Sequence, residues 1–158
     1  MKTKNSTWFE VTSKFLDCDE SGCQHRRTEV CTVEAKSFRE AEERITELYI
    51  RAEEFEVVRM KRAAYPTVIV TDLEEDKNFY VATVDTTIPA DPPMAVKHEK
   101  TKYLIQAATI EQAHGQIRDY LSAVIADNVT IGMMKSRVVA VVERPKKDEK
   151  PKDDGSKQ

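Results

Sequence analysis

The sequence predicts an α+β fold of two tandem duplicated strand–strand–helix–strand units, in which an antiparallel sheet carries two helices on one face. Residues 33–41 have a counterpart in residues 105–113, which indicates a duplicated supersecondary unit. Stretches with a period of two lie on both sides of each helix pattern and are typical of strands. From residue 144 onward the chain has no large apolar side chain, which predicts a disordered C-terminal tail.

The first copy begins with two strands joined by a polar loop. Residues 8–15 alternate between apolar and polar side chains, which predicts a half-buried strand. Residues 16–26 are polar and contain a glycine, as hairpin loops do, and residues 28–35 alternate again. We therefore expect a hairpin at the start of the fold.

A helix and a further strand complete the first copy. Ser37 and Glu40 have the spacing of a capping box, and apolar side chains at helical spacing follow them in one stripe. Residues 55–63 then return to a strand pattern, in which Val58 and Met60 are expected to share one face. The β-branched residues 67–71 extend or follow this strand.

The second copy repeats this order. Phe79 stands where Trp8 stands in the first copy, and Thr109 with Gln112 forms a second capping box. Two units of this size are expected to pack together as one domain. The predicted organisation is a first unit at 1–71, a solvated acidic linker at 72–78, a second unit at 79–143 and the disordered tail at 144–158.

Composition limits the range of functions. The net charge is only −3, so the overall charge does not point to a polyanionic partner. No apolar run approaches the roughly 20 residues that a membrane-spanning helix needs, and the N-terminal residues lack the pattern of a secretion signal. We therefore expect a cytoplasmic protein without a membrane partner, and we expect its three cysteines to be reduced thiols.

No catalytic, metal-binding or cofactor-binding motif stands out. The only candidate metal cluster is formed by Cys18, Cys23, His25 and Cys31, and its spacing differs from that of structural zinc sites. Glycine-rich phosphate loops and nucleophile motifs are absent from the sequence. The prediction is a non-enzymatic protein without metal or cofactor, unless a site is assembled across the two halves.

Charge placement suggests a binding surface. Arg59 and Lys61 alternate with apolar residues, so they should lie on the sheet face away from the helices. Basic residues interleaved with aromatic rings are what a single-stranded nucleic-acid platform needs. The candidate residues are Trp8 and Phe79, which would stack on bases, and Arg59, Lys61, Arg62, Lys100 and Lys102, which would contact phosphates; Lys14, Lys135 and Arg137 would add to the patch.

Two other interpretations stand beside this hypothesis. The basic residues can be an ordinary solvated sheet face, with Trp8 and Phe79 buried between the two halves. Alternatively, the chain is a protein-interaction module, either a homodimer or a binder of a host protein, that uses a sheet edge or the groove between the halves. Exposure or burial of the two aromatic rings separates the first of these interpretations from the stacking hypothesis.

Three segments also resemble a known family. They are residues 8–11 (Trp8, Phe9, Glu10, Val11), residues 35–42 and residues 55–57 with 61–63. These segments look like an uncharacterised family of small proteins from gut Bacteroidetes and their phages, known only as a domain of unknown function. The resemblance covers roughly residues 8–142 and implies a cytoplasmic protein of phage or mobile-element context, without catalytic residues to transfer. By association, handling of phage or element DNA would suit that setting.

Overall fold

The computed structural model of the chain describes residues 2–71, 73, 75–93, 95–124 and 127–145. Most of the predicted disordered tail, from residue 146, lies outside the described residues, as do Asp72 and Glu74 of the predicted linker. Neither helix in the described part of the chain combines the length and apolar character needed to cross a membrane.

The described residues form nine strands and two helices. In chain order they are β1 (Lys2–Asn5), β2 (Trp8–Cys18), β3 (Gln24–Glu34), α1 (Phe38–Leu48), β4 (Glu53–Arg62), β5 (Thr67–Val70), β6 (Asn78–Pro89), β7 (Val96–Ala107), α2 (Ile110–Ser122), β8 (Asp127–Ser136) and β9 (Val138–Val142). This content confirms the α+β class. The two helices begin at the predicted capping boxes: Ser37 accepts a hydrogen bond from the backbone N–H of Glu40 at 3.1 Å, and Thr109 accepts one from Gln112 at 3.1 Å.

The strands form two mixed sheets rather than one antiparallel sheet. The five-stranded sheet has the order β1-β5-β7-β6-β8, and the four-stranded sheet has the order β4-β2-β3-β9. Most neighbouring strands are antiparallel, but β5 pairs with β7 and β9 pairs with β3 in parallel. The prediction of a purely antiparallel sheet is therefore wrong.

The parallel pairs arise because two strands cross between the sheets. Strand β5 follows β4 of the four-stranded sheet but joins the five-stranded sheet, and β9 follows β8 of the five-stranded sheet but joins the four-stranded one. Strand β5 pairs with β7, the second strand of the β6–β7 hairpin, and β9 pairs with β3, the second strand of the β2–β3 hairpin. Each sheet thus contains a strand from the other half of the chain, so neither predicted unit forms its sheet alone, and the duplication of the sequence stays a prediction.

Each helix covers a different sheet, so the two helices do not share one face as predicted. Helix α1 packs on the four-stranded sheet around Phe9, Val33 and Ile45, whereas α2 packs on the five-stranded sheet, with Ile105 and Ile117 in that core. A third cluster joins the two sheets through their other faces; it comprises Trp8, Tyr65, Val68, Phe79, Leu104 and Val138. The layers are therefore helix, sheet, sheet and helix.

Two segments predicted to be solvated take part in the fold. Asp76, within the predicted acidic linker, is buried and accepts hydrogen bonds from Thr71 at 2.6 Å and Gln112 at 3.1 Å. Arg144, the first residue of the predicted tail, donates its backbone N–H to Glu34 at 2.8 Å. Both predictions rested on charged composition, and at these two residues hydrogen-bond partners from other parts of the chain hold the polar groups in place.

Candidate functional site: a cationic groove between the sheets

The two aromatic rings predicted to stack on bases are buried. Trp8 is 2% exposed and Phe79 is 3% exposed, because both lie in the cluster that joins the two sheets. The indole Nε1 of Trp8 also donates a hydrogen bond to the carbonyl oxygen of Pro66 at 3.1 Å. The structure therefore corrects the predicted stacking role: the faces opposite the helices cover each other here, and neither ring is open to a base.

Beside this cluster, two adjacent cavities lie between the inner faces of the sheets, and Val138 and Tyr65 of the cluster each line one of them. The first has a volume of about 200 Å³ and is lined by Glu10, Thr12, Val30, Arg59, Lys61, Ser136, Arg137 and Val138. The second has a volume of about 310 Å³ and is lined by Glu10, Ala64, Tyr65, Val81, Thr83, Lys102, Gly132, Met133, Met134, Lys135 and Ser136. Because Glu10 and Ser136 line both cavities, we call the two together the inter-sheet groove.

The β-ladders explain how the basic residues reach this groove. In the four-stranded sheet, Arg59 pairs with Thr12 and Lys61 with Glu10, so their side chains emerge on the face opposite α1. The prediction that these two residues face away from the helix is therefore confirmed. On the other face a register shift changes the expected pattern: Val57 packs on the core beneath α1, whereas Val58 is exposed.

The groove is strongly cationic. Its described lining has five basic residues, from strands β4, β7 and β8 and from the link between β8 and β9: Arg59, Lys61, Lys102, Lys135 and Arg137. Glu10 is the single acidic residue in the same lining. Of the five cations, only Lys61 has a carboxylate within 4.0 Å among the described residues, at 3.5 Å from Glu10. Lys135 pairs with Tyr80, which packs in the core beneath α2, so the Lys135 side chain leaves the strand on the α2 side. Three positive charges, those of Arg59, Lys102 and Arg137, thus face the groove without an acidic partner in the described part of the chain.

Buried hydroxyl groups fix the position of the Glu10 carboxylate. The hydroxyl of Tyr65 donates a hydrogen bond to Glu10 Oε2 at 2.7 Å, and this hydroxyl lies 2.7 Å from the buried hydroxyl of Thr32. Burial raises the pKa of the Tyr65 hydroxyl, so it stays protonated and remains a donor. The carboxylate of Glu10 is therefore fixed by buried hydroxyl groups rather than free to follow Lys61.

Hydroxyl groups complete the polar lining. The Ser136 hydroxyl oxygen accepts a hydrogen bond from the backbone N–H of Val138 at 3.1 Å. Its own hydrogen is thus available to a ligand, as a hydroxyl both accepts and donates. Together with Thr12 in the first cavity and Thr83 in the second, it gives the groove neutral donors beside the cations. Such a set of donors suits an anion with several oxygen atoms.

The remaining predicted site residues lie elsewhere. The guanidinium carbon of Arg62 stands 5.6 Å from the centre of the Phe9 ring, on the side of the sheet covered by α1. Lys100 lies opposite Asp85 in the β6–β7 ladder and is not part of the groove lining. Three of the seven predicted residues, Arg59, Lys61 and Lys102, are thus brought together, and Trp8, Phe79, Arg62 and Lys100 are not.

The structure does not bring the candidate metal ligands together. Cys18 and Cys23 are exposed near the tip of the β2–β3 hairpin, whereas Cys31 is buried beneath α1. Burial raises the pKa of the Cys31 thiol, which lies 3.3 Å from the hydroxyl of Tyr49. No group of three or more potential metal ligands lies close together within the described residues.

None of the three histidines lines the groove. His25 is in the β2–β3 hairpin, and His98 Nδ1 lies 3.3 Å from Asp85 Oδ1 on the β6–β7 hairpin. His114 is on α2 and lines a separate depression with Arg118. The cleft with histidine and carboxylates that would have pointed to an enzyme is therefore not formed by these residues.

Sequence reasoning missed two residues of the groove lining that are hydrogen-bonded to each other. Glu10 and Tyr65 carry no recognisable motif, and they are 55 residues apart in the chain. Only the alternation in β2 gave a signal, because it places Glu10 and Thr12 on the same face as Trp8.

One comparison with known proteins gives a match. Residues 7–144 match the family model described as Domain of unknown function (DUF4494). This range includes both helices and every residue that lines the inter-sheet groove. No curated protein and no solved structure matches the chain. The match therefore brings no activity that could be transferred to the groove.

Proposed function

The chain belongs to the DUF4494 family, and we propose that it is a non-enzymatic cytoplasmic protein that binds single-stranded nucleic acid in the inter-sheet groove. The contacts are to the phosphates and sugars of the strand, not to stacked bases. A phage or mobile-element setting, which the resemblance implies, fits this proposal. The proposal keeps the predicted partner but replaces the predicted open platform with a groove.

The observation that carries the proposal is the imbalance of charge in the groove. Four basic side chains, those of Arg59, Lys61, Lys102 and Arg137, converge there from both sheets against one acidic residue, in a chain whose net charge is −3. Cations scattered over a sheet face for solubility would be expected to alternate with acids in such a chain. A local excess of this kind attracts phosphate groups and is the term that dominates nucleic-acid affinity.

The shape of the groove favours a single strand. Cavities of about 200 and 310 Å³ admit a phosphate, a sugar or a base but not the body of a duplex. Val81 and Met134 give the second cavity an apolar wall against which a sugar or base can rest. Two cationic cavities in succession suit two consecutive phosphates of an extended strand.

Fluorescence anisotropy with a labelled oligo(U), measured over a series of salt concentrations, tests the proposal. Each phosphate contact contributes about 0.7 to the slope of log affinity against log salt for single strands, so an Arg59→Ala, Arg137→Ala double variant should lower the slope by about 1.4. A matched control removes the same charge from the exposed residues Arg39 and Arg51, which lie outside the groove. Wild-type protein that does not bind at low salt, or equal slopes for both double variants, would contradict the proposal.

A second candidate function, a protein-interaction module, is favoured by one specific observation. Strand β8 forms an edge of the five-stranded sheet and exposes Val129, Ile131 and Met134 by 61%, 51% and 73%. Exposed apolar residues on a sheet edge are typical of strand addition by a second copy or by another protein. Light scattering would detect a homodimer, and pull-down from a host lysate with and without nuclease would detect a host protein.

A further inference from the structure

The inter-sheet groove holds one feature that phosphate binding alone does not require. Glu10 is a carboxylate in the middle of a cationic site, and it lines both cavities. A carboxylate repels phosphates, so its presence weakens a site that only has to attract them. The side chain is 19% exposed, which leaves part of it open to a ligand.

The same carboxylate is well placed to accept a hydrogen bond. Its Oε2 takes one hydrogen bond from Tyr65, and its Oε1 is 3.5 Å from Lys61 Nζ, which is longer than a hydrogen bond. Two carboxylate oxygens offer about four acceptor positions, so room remains for a donor from a ligand. Because Tyr65 is itself fixed by Thr32, the acceptor is already oriented before a ligand arrives.

Basic side chains lie in the cavities on both sides of Glu10, as phosphates lie on both sides of each sugar in a ribonucleotide strand. The first cavity has Arg59, Lys61 and Arg137, the second has Lys102, and Glu10 lines both. In RNA, a sugar with a 2′-hydroxyl donor lies between every two phosphates, whereas the deoxyribose of DNA offers no such donor. Cation, carboxylate and cation thus correspond to phosphate, 2′-hydroxyl and phosphate.

Resting on the proposed function, we propose that Glu10 accepts a hydrogen bond from a ribose 2′-hydroxyl, so that the inter-sheet groove prefers single-stranded RNA to single-stranded DNA. With DNA in the groove, the carboxylate faces two phosphates without a donor between them. With RNA, the hydroxyl offsets that repulsion. Glu10 therefore acts as the specificity residue, and Tyr65 acts as a positioning residue.

The test compares three labelled oligonucleotides of equal length and base: oligo(U), oligo(dU) and 2′-O-methyl oligo(U). A hydrogen bond to a charged group leads us to expect that wild-type protein binds oligo(U) about tenfold more tightly than oligo(dU). The methylated strand should bind as weakly as oligo(dU), because its ether oxygen cannot donate. Glu10→Gln should reduce the tenfold ratio to about twofold or less, since a neutral amide oxygen accepts more weakly than a carboxylate.

A second variant protects the test against misfolding of the first. Tyr65→Phe leaves Glu10 in place but removes the hydroxyl that orients it, so the preference for oligo(U) should fall while the salt dependence stays as in the wild type. Thermal unfolding of each variant verifies that it is folded. Wild-type binding of oligo(U) and oligo(dU) with equal affinity would overturn the preference alone and leave phosphate binding intact. Absence of binding to either would overturn the proposed function as well.

Discussion

Replacing Trp8 distinguishes a ring buried between two sheets from a ring that stacks on bases. Trp8 is 2% exposed and packs against residues of both sheets. A buried aromatic side chain removes about 200 Å² from water, which is worth up to about 5 kcal/mol at about 25 cal/mol per Å². Measured Trp→Ala changes in protein cores cost about 3–5 kcal/mol, so we expect Trp8→Ala to lower the free energy of unfolding by about 4 kcal/mol.

A Trp8→Phe variant separates the apolar contribution from the hydrogen bond. The Pro66 carbonyl oxygen that accepts from the indole also accepts from the backbone N–H of Ser6 at 2.9 Å, so it keeps one partner when the indole is lost. Loss of the indole hydrogen bond should therefore cost only about 1 kcal/mol. The smaller ring adds a cavity cost, and the total should stay well below that of Trp8→Ala.

Urea unfolding followed by far-ultraviolet circular dichroism measures both values, because Trp8 is the only tryptophan and its fluorescence is lost in the variants. The oligonucleotide affinity of both variants is measured in the same buffer. Burial predicts a large loss of stability in Trp8→Ala and a smaller one in Trp8→Phe. A loss of stability below about 1 kcal/mol in Trp8→Ala, together with lost affinity of that folded variant, would refute the reasoning and restore the stacking hypothesis.

Three further predictions concern α1 and the sheet it covers. Glu40→Ala removes the carboxylate that accepts from the Lys36 backbone N–H at 2.9 Å and pairs with Arg44 at 2.8 Å; by unfolding in urea it should cost about 1 kcal/mol. Hydrogen bonds from the Lys36 N–H and then from Arg44 lower the pKa of Glu40 from 4.5 to about 2. The contribution of Glu40 to stability is therefore complete above about pH 4.5 and is lost as the pH falls towards 2. An NMR titration of the Glu40 carboxyl with a midpoint near 4.5 would contradict this. Arg62→Ala should leave oligonucleotide affinity within about twofold of the wild type, because the guanidinium lies over Phe9 on the opposite face from the groove; a tenfold loss would place Arg62 in the site.

Local signals in the sequence predicted local structure well. Both capping boxes formed at the expected residues, because the hydrogen bonds of a capping box link residues three or four apart in the chain. Alternation likewise predicted that Arg59 and Lys61 share a face away from α1. Where a register shift interrupts the ladder, at Val58, the same alternation failed, since one inserted residue reverses the side on which the chain presents its side chains.

Long-range pairing could not be predicted from these patterns. Alternation shows that the side chains of Trp8 and Phe9 point to opposite faces of their strand, but it does not reveal what covers each face. The crossing of β5 and β9 between sheets depends on contacts between residues far apart in the chain, and no turn motif in the sequence indicates it. The groove follows from that crossing, which is why Arg59 and Lys102 were predicted on one open surface and are instead found on the two walls of a cleft.

The exchange of β5 and β9 also determines when the native sheets can form during synthesis of the chain. Strand β5 is synthesised before β7, the strand it pairs with in parallel, so in a nascent chain that ends before β7 it can pair only with β1. The four-stranded sheet likewise lacks β9 until the last described residues have been made. Native structure should therefore form late and in one step, and neither half should be a stable product of proteolysis or truncation.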